Sequence, residues 1–182
     1  MTENFNLEKL RFPIGNFKCP ESIDAVQISL WISEIESFPG RIINLTKNLS
    51  PFELNWKYRP DGWKIKQVVH HCADSHMNCM VRFKLALTEE IPTIKPYEES
   101  KWAKLEDGLS DAISPSLQII EGIHVKWIIL LRSMDKAQFL RQYFHPENQK
   151  TISLAEITGF YAWHCNHHLA HISQALFHKN QF

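Results

Sequence analysis

Four stretches of this chain carry apolar residues at intervals of three and four, and no stretch sustains the alternation of a half-buried strand. In residues 22–48 the spacing is set by Ile28, Trp31, Ile32 and Ile35. Pro39-Gly40 is expected to kink or break that helix, with Ile42, Ile43 and Leu45 continuing it. Residues 63–88 form the second stretch, with Ile65, Val69, Cys72, Cys79, Phe83 and Leu87 on one stripe and Pro92 marking the end. The third, residues 112–134, turns Leu117, Ile120, His124, Trp127 and Leu131 inward. The fourth starts at the capping box Ser153-Leu154-Ala155-Glu156 and runs to about His178. Two further capping patterns, Ser50-Pro51-Phe52-Glu53 and Asp135-Lys136-Ala137-Gln138, open short helical turns. Residues 1–20 read as an irregular arm and residues 144–150 as a loop. The long connection 91–111, with Pro92, Pro96 and Gly108, either is functional or carries a short helix. The expectation is an all-α protein without a sheet: a four-helix bundle with long connections and short extra turns, one domain over residues 1–182.

Composition narrows the partners. Lys plus Arg equals Asp plus Glu, 20 against 20, so the basic excess of a nucleic-acid binder is missing. No apolar run approaches the roughly 18 residues of a membrane span. The first ten residues are polar and acidic, unlike a signal peptide, so the expected compartment is the cytoplasm. Cys19, Cys72, Cys79 and Cys165 form no CxxC pair and are expected to be unpaired, buried thiols. Cys165 adjoins His164, but neighbouring side chains on a helix point about 100° apart, which weakens it as a ligand.

Histidine is the unusual residue. Of ten, seven fall in two short stretches: His70, His71 and His76, then His164, His167, His168 and His171. Imidazole is the commonest metal ligand. His164 with His168, or His167 with His171, stand four apart and therefore on one helix face; His164 with His171 also align, and spacing does not choose among these pairs. A helix with buried, hydrogen-bonded histidines has the same pattern. The other cluster supplies a third ligand. His71 suits it better than His70, because His71, Ser75, Asn78 and Arg82 form a polar stripe beside the apolar one, whereas His70 is expected to point away from the core. Three imidazoles leave a coordination position open, as catalytic zinc sites do, and nitrogen ligation suits Zn²⁺ and also Ni²⁺.

Several motifs resemble those of the DinB/YfiT family, and specifically its YfiT subfamily. They are Arg11-Phe12-Pro13-Ile14-Gly15, Tyr58-Arg59-Pro60-Asp61-Gly62-Trp63, His70-His71-Cys72-Ala73-Asp74-Ser75-His76, Arg82-Phe83, Phe144-His145-Pro146-Glu147 and Tyr161-Ala162-Trp163-His164-Cys165-Asn166-His167-His168. The resemblance spans nearly the whole chain in consistent order. It implies a four-helix bundle that is usually a homodimer, with one zinc or nickel ion on His71, His164 and His168. The chain departs from the family pattern at Cys165-Asn166, which touches none of those three. Members are described as metal-dependent hydrolases, and close relatives as zinc-dependent transferases of low-molecular-weight thiols such as bacillithiol. Either activity implies a small-molecule substrate and a nucleophile, water or thiol, activated at the metal. A non-catalytic metal-binding bundle is the other class to weigh. Asn78, Arg82, Tyr97, Glu98 and His145 are weak candidates for orienting substrate. Glu98, Glu99 and Glu147 are expected to be solvent-facing loop carboxylates.

Overall fold

Each long helix begins at a residue that satisfies its free N–H groups or tolerates them. In the computed structural model, which describes residues 6–182, Asp24 accepts from the Gln27 N–H at 2.7 Å and opens helix α2 (Ala25–Thr46). Before it, Asn6 caps a short helix, α1 (Leu7–Arg11), so residues 6–20 are not wholly irregular; residues 1–5 of the expected arm lie outside the described residues. Ser50 and Glu53 form a reciprocal capping box on α3 (Pro51–Leu54). Then follow α4 (Ile65–Thr88), the single turns α5 (Glu99–Trp102) and α6 (Glu106–Leu109), and α7 (Ser114–Ser133). The reciprocal box of Asp135 and Gln138 opens α8 (Lys136–Phe139), and two strands, β1 (Gln142–His145) and β2 (Lys150–Ser153), precede α9 (Leu154–His178). At the start of α9 only half of the expected box forms. Ser153 accepts from the Glu156 N–H, but the Glu156 carboxylate pairs with Lys150 instead of reaching back.

The four long helices make a four-helix bundle. Helix α2 packs on α7 and α9, and α4 packs on the same two. The consecutive helices α2 and α4 are therefore diagonal, which explains the length of chain, including α3, that carries one to the other.

Two predicted features need correction. The chain does contain a sheet: β1 and β2 pair antiparallel, with Tyr143 opposite Ile152. Four-residue strands are too short to show a period of two, and the tip was read as a loop. His70 is buried, not turned outward. Its ring nitrogens contact Ser116 Oγ at 2.8 Å and the Ser110 carbonyl at 3.0 Å, because the connection before α7 covers that face of α4. The long connection itself carries α5 and α6, as its length suggested. Pro39 lies inside a continuous α2.

The core falls into two apolar halves. One gathers Ile35, Phe83, Trp127, Leu131 and Leu154, the other Phe38, Ile42, Val69, Ile120 and Ile172. Along three of the four long helices the break between halves is marked by a histidine: His76 on α4, His124 on α7 and His164 on α9, all buried. A polar layer thus crosses the middle of the bundle. Buried polar groups are costly unless hydrogen-bonded, so such a layer demands a partner for nearly every ring nitrogen.

The approach of α9 to α2 is close. A Cβ on Gly159 would lie 2.7 Å from two ring carbons of Trp31. Gly→Ala in a helix ordinarily stabilises by about 1 kcal/mol. Here Gly159→Ala is expected to destabilise by about 1–3 kcal/mol, since a rigid packed ring has to shift. Urea unfolding measures it, and an unchanged or raised midpoint would show the contact to be slack. Among the described residues, no helix is long and apolar enough to cross a membrane.

Candidate metal centre

Helices α4 and α9 bring three imidazoles together. His164 Nε2 lies 3.3 Å from His71 Nε2 and 3.2 Å from His168 Nε2, and one ligand atom from each of the three lies within 4.8 Å of the others. All three side chains are buried. The pair on α9 follows from its four-residue spacing; His71 reaches across from α4, with the Trp63 ring against it at 4.8 Å.

The protons on these rings can be traced from two backbone carbonyls, which only accept. The Ile35 carbonyl takes the proton of His124 Nδ1 at 2.7 Å. A neutral His124 then has a bare Nε2, so His76 Nδ1–H donates to it at 2.8 Å. His76 Nε2 is bare in turn and accepts from His164 Nδ1–H at 3.3 Å. That leaves His164 Nε2 with a lone pair and no proton. The second chain starts at the Arg11 carbonyl, which accepts from His171 Nε2–H at 3.0 Å. His171 Nδ1 accepts from His168 Nδ1–H at 3.4 Å, and His168 Nε2 is bare as well. Tautomers are fixed in this way by the bond the other nitrogen makes.

The proline explains the first chain's anchor. In an uninterrupted helix the Ile35 carbonyl would accept from the N–H of residue 39, but Pro39 has none. The freed carbonyl is the one His124 uses.

Burial keeps all of these rings neutral. It pushes His71 and His124 down to about 4 and His171 down to about 3, and it holds His76, His164 and His168 well below the usual histidine value. Two bare Nε2 atoms 3.2 Å apart cannot hydrogen-bond to each other. A cation between them resolves the conflict. Two nitrogens each about 2.0–2.1 Å from one ion at a tetrahedral angle stand roughly 3.3 Å apart, which is close to the separation found. The donor set therefore fits a divalent transition metal.

The remaining histidines of the clusters have other places. His167 stacks on Trp163 at 4.4 Å and on Phe12 at 5.9 Å and is not in the group of three. His171 stacks on Tyr58 at 3.8 Å. Cys165 is buried in the apolar half and is also outside the group. Cys72 and Cys79 are buried and free as expected, whereas Cys19 is free but exposed.

His164 also lines a cavity of about 600 Å³, together with Ser75, Arg82, Tyr97, Tyr143, His145 and Tyr161 among others. That volume suits a small molecule. Of the residues expected to orient substrate, Arg82, Tyr97, Glu98 and His145 face this cavity. Asn78 does not: its amide donates to the Asp74 carbonyl of its own helix at 2.8 Å. Glu98, Glu99 and Glu147 line the exposed side. Ser75 and Tyr161 exchange hydrogen bonds beside His164, with the Tyr161 hydroxyl donating to the Ser75 carbonyl at 3.0 Å. Sequence reasoning missed Tyr143 and Tyr161 at the cavity, and gave His76 and His124 no role. The one signal available was the presence of histidine at inward positions of two helices.

A bundle with three convergent imidazoles at mid-height, one of them on a cavity wall, belongs to the metal-site class of four-helix proteins. The chain belongs to the DinB superfamily, whose sequence profile matches residues 34–172. It is similar to a Bacillus subtilis (strain 168) protein named "Putative metal-dependent hydrolase YfiT", 42% identical over 165 residues, 91% of this chain and 93% of that one. A Halalkalibacterium halodurans protein with the same description is 45% identical over 166 residues, 91% of this chain and 96% of that one. The solved structure of YfiT from Bacillus subtilis superposes with a TM-score of 0.89 at 41% identity, over 92% of this chain and 95% of that one. It is described as "a probable metal-dependent hydrolase with an unusual four-helix bundle topology".

Proposed function

We propose that this chain is a metal-dependent hydrolase in which His71, His164 and His168 hold one zinc or nickel ion, with a coordination position open to the cavity. The observation that supports it most is the pair of bare Nε2 atoms facing each other at 3.2 Å, each locked in that tautomer by a hydrogen-bond chain. An ion held there would supply Lewis acidity and lower the pKa of water or a thiol in the open position. The protein's own residues do the rest. The chains from Ile35 and Arg11 keep two ligand rings oriented and neutral. Burial of the cluster excludes bulk water from behind it. Tyr97, whose pKa is pushed up to about 12 mainly by burial, stays protonated and can donate to a substrate oxygen. No fourth His, Cys, Asp or Glu joins the group among the described residues, which argues against a closed, purely structural site.

A second reading, transfer of a low-molecular-weight thiol to an electrophile, has an observation in its favour. Hydrolysis calls for a general base, yet none of the four cavity carboxylates is buried. Glu98 pairs with Lys101 and Glu156 with Lys150, leaving Glu147 and Glu99 at the exposed side. The pKa of Glu99 is raised, first by partial burial and then by Glu147, which makes it the one carboxylate left as a base. A thiol is more acidic than water and needs less help to ionise. Both readings take the chain as a cytoplasmic homodimer acting on a small molecule, with neither nucleic acid nor membrane as partner. Exposed Val26 and Leu30 on α2 and Val125 and Ile129 on α7 offer apolar surface for the dimer.

The test is to incubate zinc-loaded protein with ester and haloaromatic electrophiles, with and without a panel of small thiols. Thiol-independent turnover is the expected result for the hydrolase. An absolute thiol requirement, with conjugate as the product, would instead establish the transferase.

A further inference from the structure

One wall of the cavity holds hydrogen-bonding groups that the protein itself does not satisfy. Tyr143 and His145 are alternate residues of β1, so they project to the same side of the hairpin. Tyr143 is fully buried, and its hydroxyl proton finds no acceptor in the protein, although the Arg82 side chain is near enough to hydrogen-bond its oxygen. His145 Nδ1 is likewise buried and without a partner. Both line the cavity, and so does Arg82 of α4. Among the described residues Arg82 makes no ion pair, although the cavity has four carboxylates on its lining. It stands near enough to His145 to oppose its protonation and near enough to Tyr143 to favour its phenolate.

A buried hydroxyl whose proton has no acceptor in the protein keeps that bond for whatever occupies the cavity. A guanidinium is a donor-only fork that matches a carboxylate, and a phenol adds a third donor. We propose that Arg82, Tyr143 and His145 form a subsite for a carboxylate carried by the substrate, at the end of the cavity away from the three-histidine cluster. The remaining charges on the lining are consistent with this. Glu156 is neutralised by Lys150 and Glu98 by Lys101, and Glu99 and Glu147 lie on the exposed side. The distance is set by α4. Arg82 follows His71, the α4 member of the three-histidine cluster, by eleven residues, about 16 Å of helix rise, and its long side chain can span part of that distance back toward the cluster. The substrate is thus an extended small molecule that carries its carboxylate apart from its reacting group. The subsite rests on the reading of this cavity as the substrate site of the metal centre.

The test uses Co²⁺-loaded protein and two thiols of equal length, 6-mercaptohexanoate and 6-mercaptohexanol, followed by the thiolate-to-cobalt absorption band. In the wild type the acid is expected to bind about tenfold more tightly than the alcohol, the worth of a hydrogen bond to a charged group. Arg82→Met should reduce that preference to about twofold or less, chiefly by weakening the acid, with the melting curve and the cobalt spectrum before thiol is added checking the fold and the metal. Tyr143→Phe should weaken the preference partially and leave the thermal midpoint little changed, since it removes a hydroxyl whose proton has no acceptor in the protein. Equal binding of acid and alcohol to the wild type, or a preference that survives Arg82→Met, overturns the subsite. Calorimetry with hexanoate, which has no thiol, separates the subsite from the metal reading. Binding that is lost in Arg82→Met supports the subsite even if the cobalt band never moves, and no difference between wild type and variant overturns it.

Discussion

His164→Ala purifies without stoichiometric metal, and so do His71→Ala and His168→Ala, when metal is counted by atomic emission after dialysis against a weak chelator. Each removes one of three converging nitrogens and leaves two, which is fewer than a stable zinc site uses. His167→Ala retains a full equivalent, because its ring lies between Trp163 and Phe12 instead of in the group. His124→Phe falls between. The ligands remain, but His76 loses the acceptor that fixes its tautomer, and with it the orientation of His164. Loss of such an outer partner typically costs about 10–100-fold in affinity, so competition against a chelator should show weakened, not abolished, binding. Melting curves of the metal-free variants check that each still folds. Full occupancy in His164→Ala would refute the ligand assignment.

The second large effect is acid sensitivity of the metal-free protein. Eight histidines have folded values below the ordinary one, in each case first because of burial: His71, His76, His124, His145, His164, His167, His168 and His171. Above pH 6.5 these groups are neutral in both states and contribute no pH dependence. Between about 6.5 and 4 the unfolded chain takes up protons that the folded chain refuses, so stability falls as pH falls. For His71 alone, a drop from 6.5 to about 4 is worth on the order of 3 kcal/mol. Asp74, pushed up to about 6 chiefly by burial, and Glu99, also raised chiefly by burial, act in the opposite sense but are two groups against eight. Whole-protein stabilities are about 5–15 kcal/mol. The apoprotein should therefore lose most of its urea stability between pH 6.5 and pH 4.5, while metal at pH 7 raises the midpoint by mass action. A midpoint constant from pH 7 to pH 5 would contradict the buried neutral layer.

The bundle was legible because its signal is repeated. Ile28, Trp31, Ile32 and Ile35, and the matching stripes on the other three helices, set the register of the long elements to within a few residues. The hairpin was not legible, because each strand contributes only four residues to any pattern. At the site, four-residue spacing put His164 with His168 and equally His167 with His171. The resemblance to relatives, and not spacing, singled out the first pair. The physical distinction lies in contacts remote in sequence. His168 takes its tautomer through His171 from Arg11, 160 residues from His171, and His164 takes its own from Ile35 by way of His124. His124 reads from sequence as one more inward position of a helix. Pro39 reads as a helix breaker, whereas its effect in the fold is to free the carbonyl that anchors the first chain. Tyr143 stood just before a segment taken for a loop, so its hydroxyl at the cavity wall had no signature at all.

X-ray absorption at the zinc edge of the metal-loaded protein tests the three-histidine centre most directly. The predicted spectrum has three imidazole nitrogens at about 2.0–2.1 Å, with the remaining first-shell scatterer an oxygen that a soaked thiol replaces with sulfur. A sulfur scatterer before any thiol is added, or a fourth imidazole closing the site, would contradict it.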